Sequence, residues 1–237
     1  MTGLDDEATA LEAVRHGAQD FLLKGHGDCR VLTRAIRYAM ERWRSATALQ
    51  DSERRYRGLF ENSPISIWEE DFSAVKAHID RLRGSGVEDF RAYFEAHPQE
   101  VTGLWSLVKV TDVNQAATTQ YDARNKAELL GDLPPLLPDL ESNALHWFQE
   151  EVNLIAEGGT SLQGELATRD LAGDRIHLAF RWSVMPGFEV PYSKVLVSTI
   201  DITERVEADQ EVLWRNEQLV RLNRIHQALG STLDIEQ

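Results

Sequence analysis

The sequence predicts an α+β protein: a mostly antiparallel sheet of five strands, flanked by helices and bracketed by two long amphipathic ones. Three observations carry this. Between 174 and 185, Ile176, Leu178, Phe180, Trp182 and Val184 alternate with His177, Ala179, Arg181, Ser183 and Met185, the period of two of a half-buried strand. Gly173-Asp174 joins this strand to an upstream run at 161–170 as a hairpin, and hairpin-linked strands are antiparallel. Toward both ends the period becomes helical, through Leu32, Ile36, Ala39, Trp43 and Ala46 on one side and Leu219, Leu222, Ile225 and Leu229 on the other.

In chain order, residues 1–24 read as helix then strand. Asp5 and Asp6 supply caps, Leu11 and Val14 an apolar face, Gly17 a stop, and Phe21-Leu22-Leu23 a short buried strand before Lys24-Gly25. Residues 30–57 read as one helix carrying eight arginines against three acids. The arginines form a solvated face around the apolar seam rather than a nucleic-acid stripe, because the aromatics lie on the seam and not among the arginines. Asn62-Ser63-Pro64 is a turn and 65–72 a first strand. Helix follows over about 73–106, with Val75, Ile79 and Leu82 on one face, Phe90, Tyr93 and Phe94 on another, and Gly84-Ser85-Gly86 as the break. A second strand, Leu107 to Val113, runs into Asn114, a helix N-cap by composition. Gly131 stops a short-helix region, Pro134, Pro135 and Pro138 make a loop, and 143–157 form a helix that ends at Gly158-Gly159. Strands at 161–170, 174–185 and Tyr192–Ile200 close the sheet, and 202–229 returns to helix, with Val206, Leu213 and Val220 seven apart.

Composition narrows the function classes. A chain of 237 residues makes one or two domains. Its net charge of −14 disfavours nucleic acid or an anionic membrane as the main partner. The lone Cys29 excludes an internal disulfide and a CxxC site, and no apolar run approaches the ~20 residues of a membrane span. The expected setting is cytoplasmic. There is no histidine phospho-acceptor box, glycine-rich nucleotide loop, GGDEF-type loop or Gly-x-Ser-x-Gly elbow. The seven histidines show no metal-ligand spacing, and Glu69-Glu70 and Glu150-Glu151 read as solvated faces. The chain is therefore expected to be non-catalytic and metal-free.

Several motifs resemble the PAS (sensory-box) family and occur in its order. Glu53-Arg54-Arg55-Tyr56-Arg57-Gly58-Leu59-Phe60-Glu61-Asn62-Ser63-Pro64 resembles the start of its fold. Asp112-Val113-Asn114-Gln115-Ala116 and Glu128-Leu129-Leu130-Gly131 resemble its second strand and short-helix region. Asp201-Ile202-Thr203 resembles the motif that ends the last strand and opens the outgoing helix. The resemblance covers about 52–208, and the helical insertion at 73–106 departs from the family, where a short turn is common. Residues 1–44 resemble the C-terminal part of a response-regulator receiver. Thr2 stands for its switch hydroxyl, Phe21 for its switch aromatic and Lys24 for its phosphate-contacting lysine, without the upstream acceptor aspartate. A helical linker over 45–60 follows. Residues 209–237 resemble a signalling helix and the beginning of a GAF domain. Together these imply an internal piece of a multidomain signalling protein.

The resemblance implies a PAS sensor and transmitter of two-component or cyclic-dinucleotide type, whose kinase or cyclase activity would need further domains. Pocket-wall candidates are Trp68, Leu178, Phe180 and Trp182, which read first as sheet core and second as wall. The ligand is unknown. Flavin–cysteine photochemistry is not expected, since the PAS region has no cysteine. Haem would rest on His146, whose simpler reading is a surface histidine beside Trp147. Asp201 and Thr203 are the expected signal-coupling pair, with Thr203 capping the outgoing helix. The expected partners are a second copy, through helices 30–60 and 203–229, a downstream effector domain and a small-molecule ligand. Alternatives are a ligand-free dimerisation module and a haem-based redox or gas sensor.

Overall fold

A computed structural model describes residues 29–132 and 143–233. The expectations for Thr2, Phe21, Lys24 and the rest of 1–28, for the proline loop, and for 234–237 lie outside the described residues. So do those for the side chains of Leu32, Val220, Leu222, Ile225 and Leu229. The chain divides into two compact units, Met1–Leu59 and Phe60–Gln237.

In the first unit the described residues belong to α1 (Cys29–Glu61), which ends in the second unit. Helix α1 leaves Ile36, Tyr38, Met40, Trp43, Leu49 and Tyr56 exposed. Arg34, Arg37, Arg42, Arg44, Arg54, Arg55 and Arg57 are exposed, as the composition predicts.

The second unit is built on one antiparallel sheet of β1 (Ser66–Asp71), β2 (Lys109–Val113), β3 (Gly131–Asp132), β4 (Ser161–Arg169), β5 (Arg175–Val184) and β6 (Val195–Asp201). The order is β3-β2-β1-β6-β5-β4. The last strand therefore returns to lie beside the first, an α+β, PAS-like arrangement. It has six strands rather than five. The additional β3 is two residues long and pairs with Lys109 and Val110 at the sheet edge, where Lys109 also meets Asp132. Gly131 adopts φ 101° there, a conformation open to glycine.

The helical insertion is three helices, α2 (Ser73–Gly84), α3 (Phe90–Ala96) and α4 (Pro98–Trp105). Asp89 caps α3 by accepting from the Ala92 N–H, and Pro98 opens α4 where no amide donor is needed. After β2 come α5 (Gln115–Gln120) and a single 3₁₀ turn, Lys126–Glu128. Helix α6 (Ala144–Glu157) ends as its glycines predict: Gly158 takes φ 80°, and the Gly159 N–H closes back on the Leu154 carbonyl. Helix α7 (Thr203–Leu233) leaves the sheet after β6.

The inward side chains form two apolar clusters. One joins Phe72, Val75, Ile79, Phe94, Val101 and Leu104 of the insertion to Phe148, Val152 and Ile155 of α6 and to Phe180, Trp182 and Val184 of β5. The other gathers Trp68, Val110, Val113, Ala117, Tyr121, Leu129, Ile176 and Leu178. Leu166 and Val197 touch both. The pairing of β1 with β2 shifts between Glu69 and Glu70: Glu69 faces Asp112 and Glu70 faces Val110, so Thr111 is the extra residue of a β-bulge. The bulge turns Val110 inward beside Glu70 and leaves Thr111 outside, where its hydroxyl donates to the Glu69 carbonyl. Among the described residues no helix is long and apolar enough to cross a membrane.

Candidate functional site

Between the two clusters lies a cavity of about 90 Å³. The sheet supplies Trp68 and Glu70 from β1, Leu166 from β4, Leu178 and Phe180 from β5, and Val197 and Thr199 from β6. The opposite side comes from Trp105 at the end of α4, Tyr121 after α5, and Ala144, Trp147, Phe148 and Glu151 of α6.

Local structure fixes these positions. In β1, Ser66, Trp68 and Glu70 share the inward face by strict alternation, and Trp68 Nε1 donates to Ser66 Oγ at 2.9 Å. Trp147 Nε1 donates to the Glu165 carbonyl at 2.8 Å, tying α6 to β4. Its ring lies over Gly164, where an added Cβ would come within 2.3 Å of ring carbon Cζ2. Edge-to-face pairs link Trp68 with Tyr121 (5.0 Å), Trp105 with Phe148 (4.8 Å) and Trp147 with Phe180 (5.2 Å).

Two carboxyl groups enter this aromatic space. Glu70 is 6% exposed, and burial pushes its pKa up to about 8. Glu151, partly exposed one turn along α6 from Trp147, is held well above the usual carboxylate range, first by desolvation of its carboxyl and then by Glu70. Tyr121 is also pushed up by burial and by Glu70, so its hydroxyl keeps its proton. Near neutral pH the cavity by itself therefore holds protonated acid rather than a pair of charges.

The structure places Trp68, Leu178 and Phe180 on the cavity wall. Trp182 is not on it: its ring is fully buried against Phe72 and Tyr192, 5.5 and 6.3 Å away, so it is core and not wall. The reason is position along β5, where Trp182 lies beyond Phe180 under the insertion helices. His146 is exposed on α6 with its ring 5.6 Å from Trp147, and it does not line the cavity. Glu70 and Glu151 are not the solvated faces that their pairing with Glu69 and Glu150 suggests. The signal for Glu70 was its place two residues after Trp68. That for Glu151 was its spacing of three from Phe148 and seven from Ala144. Among the described residues no group of three or more His, Cys, Asp or Glu could hold a metal ion.

At the end of β6, Asp201 and Thr203 form a clasp rather than the cap expected of Thr203. Asp201 Oδ1 accepts from the Thr203 backbone N–H at 2.8 Å and from its hydroxyl at 2.6 Å. The Thr203 oxygen in turn accepts from the His177 N–H of β5 at 2.9 Å, and the Ile202 N–H donates to the His177 carbonyl. It is Asp201 that satisfies an amide of the first turn of α7, while Thr203 locks that turn to β5. His177 enters through its backbone, which its residue type does not advertise. Its neighbour Arg181 is exposed on the same outer face.

No family model and no curated protein matches this sequence. Solved structures are similar in part. A domain of a sensory box sensor histidine kinase/response regulator from Geobacter sulfurreducens aligns at 18% identity and TM-score 0.40, over 65% of this chain and 96% of that one. The PAS domain of a protein from Colwellia psychrerythraea aligns at 16% and 0.42, over 64% and 97%. The PAS domain of an HTR-like protein from Haloarcula marismortui aligns at 16% and 0.41, over 67% and 98%.

Proposed function

We propose that this chain carries a non-catalytic PAS-type sensory module of a multidomain signal-transduction protein of two-component or cyclic-dinucleotide kind. The module senses a small molecule in its cavity and relays occupancy through α7 to an effector domain. One observation carries the reading: the cavity and the clasp share their strands. Leu178 and Phe180 of β5 form wall, and the amide of His177 is in the clasp. Val197 and Thr199 of β6 form wall, and Asp201 follows two residues later. A ligand that shifts β5 against β6 strains the hydrogen bonds that set the first turn of α7. A bias of a few kcal/mol between two arrangements is enough for a signal. The order of the sequence motifs and of the strands supports the same assignment.

The reading includes a homodimer. Val212, Leu213, Trp214 and Leu219 of α7 are exposed, as are Ile36, Met40, Trp43 and Leu49 of α1. Unpaired apolar stripes on long helices are most simply covered by a second copy in parallel. Pure dimerisation without a ligand is the competing reading. Haem is disfavoured by the exposed position of His146 and by a cavity well under the roughly 300–1,000 Å³ of sites for drug-sized ligands.

The test is Asp201→Ala in the full-length protein. Sedimentation is expected to give dimers for parent and variant alike, with effector output that follows the signal in the parent alone. Normal signal response in the variant removes the coupling role of the clasp, and a monomeric parent at tens of micromolar removes the dimer.

A further inference from the structure

We propose that the cavity binds a small organic cation, an alkylated or protonated amine, held by the Glu70 and Glu151 carboxylates against the surrounding aromatic rings. The proposal rests on the reading of this cavity as the ligand site and names the class of ligand.

The first argument is the acid without a partner. Glu70 is more than nine-tenths buried and points into the cavity. No hydrogen bond or ion pair from the described residues accounts for its ionisation, which is perturbed by burial alone. No lining residue is Lys, Arg or His. Nor does the sequence of 133–142, which joins β3 to α6, contain one. A buried carboxyl costs free energy unless something compensates it. Here the second acidic group, Glu151, adds to the cost. In the empty cavity protonation relieves that cost, and a cationic ligand is what would relieve it with the carboxylate restored.

The wall chemistry selects the kind of cation. Trp68, Trp105, Tyr121, Trp147, Phe148 and Phe180 surround the space, and ring faces attract cations. Hard metal ions take six or more oxygen ligands, and this cavity offers two carboxyls and two hydroxyls, those of Tyr121 and Thr199. An organic ammonium, by contrast, uses both the rings and the acids. Size agrees: 90 Å³ is the liquid share of about three waters at roughly 30 Å³ each, room for a cation of a few non-hydrogen atoms.

Binding must also move a proton. Without a cation the site holds a protonated carboxyl, and a cation favours the carboxylate. The Glu70 O–H bond breaks, the proton passes to solvent, and the cation takes its place. The titratable groups facing Glu70 are Glu151 on α6 and Tyr121 after α5, the latter held protonated. The lining residues of α4, β4, β5 and β6 add none. At least one proton is released per ligand, and each makes affinity rise about tenfold per pH unit between about pH 6 and 8.

The experiment is calorimetric titration of the whole protein with tetramethylammonium chloride, which does not itself titrate, and with its neutral near-isostere tert-butanol. Runs at several pH values, in buffers of different ionisation enthalpy, count the protons. The expected result is saturable tetramethylammonium binding, with that pH slope and net proton release, and weaker tert-butanol binding. A Glu70→Gln/Glu151→Gln variant is expected to lose at least tenfold in tetramethylammonium affinity and to keep that for tert-butanol. Its retained tert-butanol binding and unchanged circular dichroism show that it folds. Equal binding of the two probes, or tetramethylammonium binding with no pH slope, overturns the cation and leaves the cavity a ligand site. If neither probe binds at millimolar concentration, the cation is overturned. Native mass spectrometry then decides the broader reading, which falls if the purified protein carries no small molecule and its signal response survives filling of the cavity by Leu178→Phe.

Discussion

Asn114 has no exposed surface and uses all of its amide. Its Oδ1 accepts from the Ile67 and Ala117 backbone N–H groups, and its Nδ2 donates to the Phe60 and Ile65 carbonyls. It caps α5 and fixes the entry of the chain into β1 with one side chain. Asn114→Ala takes the acceptor from the Ile67 and Ala117 amides, while the Phe60 and Ile65 carbonyls keep the amide and hydroxyl of Ser63. A loss of about 2–4 kcal/mol is expected in urea titration, and a loss below about 1 kcal/mol would show that water replaces the amide. Glu70 makes a different prediction. Its folded-state pKa, near 8, lies above the unfolded value near 4.5, so the folded state holds the proton more firmly in that window. Stability from this group is complete below about pH 4.5 and declines as pH rises toward 8. Glu70→Gln removes that decline. Each tenfold difference in proton affinity between the folded and unfolded chain is worth roughly 1.4 kcal/mol, so the variant is expected to gain a few kcal/mol over the parent between about pH 5 and 8. Parallel stability curves for the two proteins would contradict the burial of this carboxyl.

At the scale of elements, the seat of Trp147 is the sensitive point. Helix α6 approaches β4 closely because position 164 has no side chain. Gly164→Ala drives a methyl into the indole ring, which cannot retreat without breaking its bond to the Glu165 carbonyl. The expected cost is about 1–3 kcal/mol, with a shift in tryptophan emission as the cavity wall moves. An unchanged spectrum would mean that the ring has room. Elements of this kind were partly visible in the sequence. The alternation of β5 and the glycines after α6 are strong local signals, and the strands and helices follow them. The two-residue β3 carries no period to detect, and Gly131 resembles a helix stop because both roles need a positive φ. The clasp at Thr203 depends on a backbone amide 26 residues away, which no local pattern encodes. The acids of the cavity were masked by their neighbours: a Glu-Glu pair looks solvated until the face of each residue is assigned.

For the molecule as a whole, the sheet is the common part. Its inner face carries the cavity, its first strand receives the incoming chain through Asn114, and its last strand delivers α7 through Asp201. Incoming and outgoing segments are thus anchored on neighbouring strands, β1 and β6, which pair over five residues from Ser66 to Glu70. The motifs that open and close the fold flank these two strands, with 53–64 ending just before β1 and Asp201-Ile202-Thr203 starting at the last residue of β6, but their order alone does not say that the strands pair. Of the cavity, the sheet-side candidates Trp68, Leu178 and Phe180 were legible in the strand alternation, whereas its opposite side was not, since that depends on how the insertion and α6 meet over the sheet. Under the proposed sensory reading, a displacement of β6 by a ligand would reach both of the chain's connections to the sheet together.

The bulge at Thr111 has a genetic corollary. Strands rarely survive loss of a residue, because every side chain beyond the gap changes face. Here the surplus already exists: with Thr111 removed, Val113, Asp112, Val110 and Lys109 stay opposite Trp68, Glu69, Glu70 and Asp71 in unbroken alternation. In a library of single-codon deletions across the six strands, position 111 is expected to be the permissive one, at the cost of the hydroxyl bond to Glu69 and the local kink beside Glu70. Deleting Val110 or Asp112 preserves the count but replaces an inward valine with threonine or an outward aspartate with the same. Recovery of soluble protein should therefore rank the loss of 111 and 112 above the loss of 110, and place all three above any deletion in β5, where no spare residue exists.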